Sequence, residues 1–155
     1  MSVLKKLREI REQLIGSQDK RAFLVEGATD EVAFRILLNR CIGDWEQRWV
    51  LAIAGNKRQL LEILKLEPDW IGVVDRDEWD QATIDEKART QPNVLVLPRF
   101  CLENYLIHPA EVWEAIPPDR RSHVAGGANG FTQALQADLP KYLRHGVLWR
   151  VVSPL

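Results

Sequence analysis

Carboxylates recur directly after short apolar runs of this sequence. Glu26 follows the first run, and Asp30 stands four residues later. Asp75 and Asp77 follow the third run as an Asp-x-Asp pair. Carboxylate oxygens suit hard divalent cations, and Mg²⁺ usually keeps waters that phosphate oxygens can replace. These residues therefore indicate a metal site for phosphate chemistry.

Four apolar runs must position these carboxylates. The runs do not alternate in polarity, which is typical of strands buried on both faces of a parallel sheet. They are Ala22–Val25, Trp49–Ala54, Trp70–Val74 and Val94–Leu97. Helical patterns at Asp30–Arg40, at Lys57–Leu66 and around Ala82–Ala88 separate them. The alternation predicts an α/β fold, a Rossmann-like parallel sheet of about four strands sandwiched by helices.

The carboxyl ends of the strands are where open α/β sheets bind ligands. If the first and third strands are neighbours, Glu26 and Asp75 emerge roughly 5 Å apart. Asp77 is two residues further on, and Asp30 lies about one helical turn beyond Glu26, so both can face the same space. Carboxylates this close either have raised pKa values or are compensated by a cation. For Asp30 alone, a role at the start of a helix competes with that of a ligand.

The chain divides into three predicted parts. Residues 1–19 form an amphipathic helix with Leu4, Leu7, Ile10 and Leu14 on one face. Residues 20–116 form the α/β core, and residues 117–155 form a mainly helical extension. The extension ends in apolar sequence, so we expect either a fragment of a longer protein or an end that packs against another surface.

The pattern changes after Pro98, where short segments replace the long alternation. The pattern predicts two short helices, at Cys101–Ile107 and at Pro109–Ile116. It also predicts a mobile glycine-rich loop over residues 125–130. Residues 131–143 are typical of a helix, and Gly146–Val152 of a strand.

Composition excludes several classes of protein. Of 155 residues, 46% are hydrophobic and 28% charged, which excludes a disordered chain. The 21 basic and 22 acidic side chains argue against a strongly basic nucleic-acid binder. Two cysteines are too few for a disulfide scaffold. No secretory signal and no run of roughly 20 apolar residues is present, so we expect a cytoplasmic protein without a membrane partner.

Three motifs together resemble the Toprim (topoisomerase–primase) domain. The first two are Phe23–Asp30, with its Glu-Gly pair, and Gly72–Asp77, with its Asp-x-Asp pair. Leu102–Leu106, Leu-Glu-Asn-Tyr-Leu, is similar to the Toprim branch of the OLD-family (overcoming lysogenization defect) nucleases. The resemblance spans about residues 22–107.

The resemblance implies a divalent-metal-dependent endonuclease. Glu26 would be a metal ligand and the acid/base, with Asp30 in a supporting position. Asp75 and Asp77 would hold Mg²⁺ or Mn²⁺, and Glu103 would complete a second metal site. Glu26, Asp75 and Asp77 are thus the predicted catalytic residues, and one or two ions are expected.

Five further residues are candidates for contacts with phosphate or nucleic acid. Gly27 lets the backbone approach a phosphate closely. Arg76 and Arg99 flank the acidic motifs and either hold a phosphate or form ion pairs with the carboxylates. Lys57 begins a helix, where an anion contact competes with the favoured alternative of a solvated lysine. The OLD-like pattern also uses a later lysine, for which Lys141 is the candidate.

Two function hypotheses follow. One is a nuclease-like domain that acts on nucleic acid, with DNA favoured over RNA, in phage defence beside an ATPase. The other is a non-catalytic Toprim-like module that binds or regulates within an ATPase complex. Self-association is left open. Haloacid-dehalogenase-type phosphatases and nucleotide-sugar glycosyltransferases also use Asp-x-Asp, but the first place it on the first strand and the second leave Glu26-Gly27 unexplained.

Overall fold

Four parallel strands form the sheet of the computed structural model, which describes residues 2–105, 108–141 and 144. The strands are Arg21–Val25 (β1), Trp49–Ile53 (β2), Ile71–Val74 (β3) and Val94–Val96 (β4). Their spatial order is β2-β1-β3-β4. Each predicted strand is present, with bounds that differ by one residue at one end. The predicted α/β class is confirmed.

One helix precedes the first strand, and further helices connect the strands as the alternation predicts. They are α1 (Val3–Glu9), which continues as a π-helical turn over Ile10–Ile15, α2 (Ala28–Cys41), α3 (Lys57–Leu66) and α4 (Gln81–Thr90), with a short 3₁₀ helix at Trp45–Gln47. Side-chain oxygens of Ser2, Asn56 and Asp80 cap α1, α3 and α4 by accepting a main-chain N–H three residues on. No helix in the described ranges is long and apolar enough to cross a membrane.

The hydrophobic core lies on both faces of the sheet, because successive side chains of β1 point to opposite faces. Leu24 lies in one cluster with Ile10 of the π-helical turn and Leu60 of α3. Val25 lies in a second cluster with Leu51, against which the α2 side chains pack. The N-terminal helix is therefore built into the same core as the sheet.

The chain forms two compact units, the first ending at Leu102 and the second starting at Glu103. The predicted division into residues 1–19, 20–116 and 117–155 stays a prediction. The second unit contains α5 (Pro109–Ala115), α6 (Pro118–Arg121) and α7 (Gly127–Gln136). The rings of Trp113 and Phe131 pack at 5.7 Å between α5 and α7. The described part of the second unit is therefore mainly helical, as the sequence predicts.

The prediction of a mobile loop over residues 125–130 is wrong, because α7 begins at Gly127. Gly126 has φ 72°, a left-handed conformation that glycine adopts without strain, and it redirects the chain into the helix. A β carbon at Gly130 would collide with the carbonyl oxygen of Ala125. These glycines thus permit a tight helix start. The predicted strand Gly146–Val152 lies outside the described residues, as do residues 106–107 and 142–143 of two predicted helices.

Candidate functional site

The carboxyl ends of β1 and β3 bring Glu26 and Asp75 together. The two strands pair directly, with Phe23 opposite Ile71. The main-chain N–H of Asp75 donates a hydrogen bond to Oε1 of Glu26 at 3.2 Å. Because each residue directly follows its strand, parallel pairing brings both to the same edge of the sheet, as expected if the first and third strands are neighbours.

Lys57 reaches into this edge from the first turn of α3. Its Nζ donates to the carbonyl oxygen of Asp75 at 2.6 Å and to Oδ2 of Asp77 at 2.5 Å. It also lies 4.7 Å from the ring centre of Trp79, within range of a cation–π contact. The side chain is 17% exposed. The favoured sequence interpretation, a solvated lysine, is therefore wrong.

Local backbone geometry delivers Lys57 to this position. Gly55, with φ 108°, makes the turn after β2, and its N–H donates to the carbonyl of Glu26 at 2.9 Å. The side chain of Asn56 then caps α3 by accepting the N–H of Gln59. A lysine in the first turn of a helix is unfavourable with the helix dipole unless an acid compensates it. That conflict was the signal in the sequence that an acidic partner is present.

Asp77 occupies a tight turn after β3. Its φ is 49°, a left-handed conformation that is rare for residues other than glycine. Its N–H donates to the carbonyl of Phe100 at 2.7 Å. Nε of Arg76 donates to the carbonyl of Trp79 at 3.2 Å, so Arg76 stabilises this turn. Strained backbone of this kind is concentrated at functional sites.

Asp75 is held by the segment that follows β4. Its Oδ1 accepts the N–H of Leu102 at 3.0 Å. This contact joins positions 27 residues apart and has no sequence signature. It orients one carboxylate oxygen of the carboxylate cluster, the group formed by Glu26, Asp75, Asp77 and Lys57.

Burial raises the pKa of Glu26 above its usual value near 4.5. The hydrogen bond from the Asp75 N–H and the charge of Lys57 lower this pKa, while the carboxylates of Asp75 and Asp77 raise it further. Together these effects leave the pKa of Glu26 raised. Glu26 is thus better suited to exchange a proton near neutral pH than an exposed glutamate.

Asp30 has a structural task. Its Oδ2 accepts the N–H of Gly27 at 2.9 Å, which caps the start of α2. The predicted supporting role of Asp30 at a metal thus competes with this cap. A β carbon on Gly27 would meet Asp30 Oδ2 at an ordinary 3.8 Å. Packing within the fold therefore does not require glycine there, and a contact with a ligand stays a prediction.

The remaining candidates lie in or near the second unit. Glu103 lies in a 3₁₀ helix over Leu102–Tyr105, and Lys141 follows α7 with an exposed side chain. Both belong to the second unit. Arg99 is half-buried in the segment after β4. The role of Glu103 as a metal ligand stays a prediction. So do the contacts of Arg99 and Lys141 with phosphate or nucleic acid.

The cluster suits a divalent cation in donor type and in charge. Its carboxylate oxygens are hard ligands. With three carboxylates ionised and Lys57 protonated, its formal charge is −2. Yet within residues 2–105, 108–141 and 144, no three His, Cys, Asp or Glu side chains are arranged to hold a metal ion. The ammonium of Lys57 lies against Asp77 instead, so metal binding at this edge requires side-chain rearrangement.

Comparisons with family models, with curated proteins and with solved structures found no match to this chain. The features of this chain that bear on its function are the three sequence motifs and the geometry of the cluster.

Proposed function

We propose that this chain is a Toprim-like nuclease domain that hydrolyses phosphodiester bonds with Mg²⁺ or Mn²⁺. The observation that carries the proposal is the convergence of Glu26 and Asp75 at the ends of neighbouring parallel strands, with Asp77 two residues on. DNA is the favoured substrate. The resemblance further suggests a cytoplasmic role in phage defence beside an ATPase partner.

Each residue of the cluster has a role in this proposal. Asp75 and Asp77 would hold the metal, and Glu26 would act as a ligand and accept the proton of the attacking water, a role that its raised pKa favours. The resemblance alone implies that Glu103 is a further metal ligand. A bound divalent ion supplies charge stabilisation for the attacking and leaving oxygens of the phosphodiester.

Five residues are proposed to contact the substrate. Gly27, at the start of α2, would let the backbone approach a phosphate closely. Arg76 and Arg99 flank the carboxylates in sequence, and Lys57 is already inside the cluster. Lys141 is the candidate for the later lysine of the OLD-like pattern.

A second candidate function is a non-catalytic Toprim-like module in an ATPase complex. The ion pair between Lys57 and Asp77 favours it, because an internal cation already compensates part of the negative charge. Under this hypothesis the cluster stabilises the fold, and the protein does not need a metal ion to function.

Cleavage assays separate the two. Plasmid and single-stranded DNA are incubated with Mn²⁺ or Mg²⁺ and the wild type, Asp75→Asn or Asp85→Asn. Asp85 is the matched control, since it is exposed on α4 and outside the cluster. We expect cleavage by the wild type and Asp85→Asn, and a loss of about 10²-fold in Asp75→Asn. Equal inactivity of all three folded proteins would favour the non-catalytic module.

A further inference from the structure

Lys57 holds the position of a cation within the carboxylate cluster. Its ammonium contacts two oxygens, the carbonyl of Asp75 at 2.6 Å and Oδ2 of Asp77 at 2.5 Å. Oxygens are also the ligands that a hard divalent ion takes. The ammonium is a compact point charge, so it substitutes for a small cation in electrostatic terms.

Main-chain N–H groups hold two carboxylates of this cluster in place. Oε1 of Glu26 accepts the N–H of Asp75, and Oδ1 of Asp75 accepts the N–H of Leu102. The backbone of Asp77 is fixed by its own N–H, which donates to the carbonyl of Phe100. Lys57 instead reaches the cluster through a flexible four-carbon stem. When a second cation enters, the lysine is therefore the group that can move away.

A divalent ion bound by Asp77 would lie within a few ångströms of the ammonium. Two positive charges at such a distance repel each other strongly in a partly buried site. The side chain of Lys57 is 17% exposed and that of Asp77 39%, so solvent screening is incomplete. Metal binding and the contact between Lys57 and Asp77 are therefore in competition.

We propose that Lys57 is the resident counter-ion of the cluster and that a divalent metal must displace it from Asp77. Lys57 thereby sets the metal concentration at which the site becomes occupied. This inference depends on the proposed function, since it assumes that the cluster binds metal. The displaced ammonium leaves the ring of Trp79, which makes that tryptophan a reporter of the exchange.

Mn²⁺ binding, measured by the electron paramagnetic resonance signal of the free ion, tests the competition directly. Lys57→Met keeps an apolar stem and removes the charge. Lys65→Met makes the same change at an exposed site on the same helix, where Lys65 pairs with Glu62. We expect Lys57→Met to bind Mn²⁺ about tenfold more tightly than the wild type, and Lys65→Met to match the wild type. Asp77→Asn should weaken binding.

The outcomes separate the two proposals. Equal Mn²⁺ affinity of the wild type and Lys57→Met, with loss in Asp77→Asn, would overturn the competition and leave the metal site standing. Weaker binding by Lys57→Met would also overturn it. Binding that is absent, or that does not depend on Asp77, would overturn the metal site and the competition together.

A second measurement uses the wild-type fold and so does not depend on the stability of Lys57→Met. Diamagnetic Mg²⁺ is titrated while tryptophan fluorescence is recorded. We expect a saturable change in the wild type and Lys65→Met that is absent in Trp79→Phe. No change in the wild type at Mg²⁺ concentrations that saturate the site would contradict displacement of the lysine.

Discussion

The main-chain N–H of Asp75 donates to the carboxylate of Glu26 across two neighbouring strands, although the residues are 49 positions apart. The hydrogen bond fixes the end of β3 against the end of β1. The carboxylate of Glu26 is half-buried at this edge and has other acids for neighbours, and burial is the main reason why the pKa of Glu26 is raised.

Glu26→Gln should make the protein more stable at neutral pH. Because the pKa of Glu26 is higher in the folded state, its stabilising contribution is fully present below the unfolded value near 4.5 and is lost as the pH rises through the folded value. Glutamine keeps the Oε1 acceptor and does not ionise. Melting temperatures between pH 4 and 8 should show a gain at pH 7 that shrinks towards pH 4.5.

The control for this prediction is Glu86→Gln, the same change at an exposed position of α4. Its effect should stay within about 0.5 kcal/mol. A variant at position 26 that is less stable than the wild type at pH 7 would show that the charge of Lys57 and the Asp75 N–H outweigh burial.

Gly72→Ala should destabilise the first unit by about 1–3 kcal/mol. A β carbon there would lie 2.7 Å from methyl groups of both Leu60 and Leu64, so α3 would have to move away from β3. Chemical denaturation measures the loss. Gly43→Ala is the control, because a β carbon there meets nothing within 4 Å, and a near-neutral effect is expected. If Gly72→Ala were as stable as the wild type, α3 would be able to move away from β3 without loss of unfolding free energy.

Ile10→Ala should cost about 2–5 kcal/mol, since Ile10 is 0% exposed and packs in the core under the sheet. Leu4→Ala on the same N-terminal segment is the matched control, because Leu4 is 67% exposed. Its cost should be below about 0.5 kcal/mol. Similar denaturation midpoints for the two variants would contradict an N-terminal helix that belongs to the core.

Asn93→Ala should cost about 1–3 kcal/mol. The side-chain Nδ2 of Asn93 lies 3.1–3.3 Å from the carbonyl oxygens of Leu64, Glu67 and Trp70, so its two N–H groups are shared among acceptors between the end of α3 and the start of β3. Thermal unfolding followed by circular dichroism measures the loss. Asn129→Ala, at an exposed position of α7, is the control with little expected change. A stability equal to the wild type would mean that solvent replaces these bonds.

Local patterns were sufficient to predict most elements of the first unit. The bounds of α3 match the predicted Lys57–Leu66, because helical spacing of apolar residues is a signal that lies within a few positions of the chain. The glycine-rich start of α7 was mispredicted. Glycine is typical of loops, and the tight packing of Gly130 against Ala125 is not visible in composition.

By itself, the sequence determined the parallel α/β fold and the placement of Glu26 and Asp75 at strand ends, since burial on both faces and strand–helix alternation are local signals. The tertiary structure alone decided that β1 lies between β2 and β3 and that Lys57 pairs with Asp77. That pair spans 20 positions. It depends on how α3 crosses the sheet and on the turn at Asp77, and no interaction between near neighbours in the chain encodes either of these.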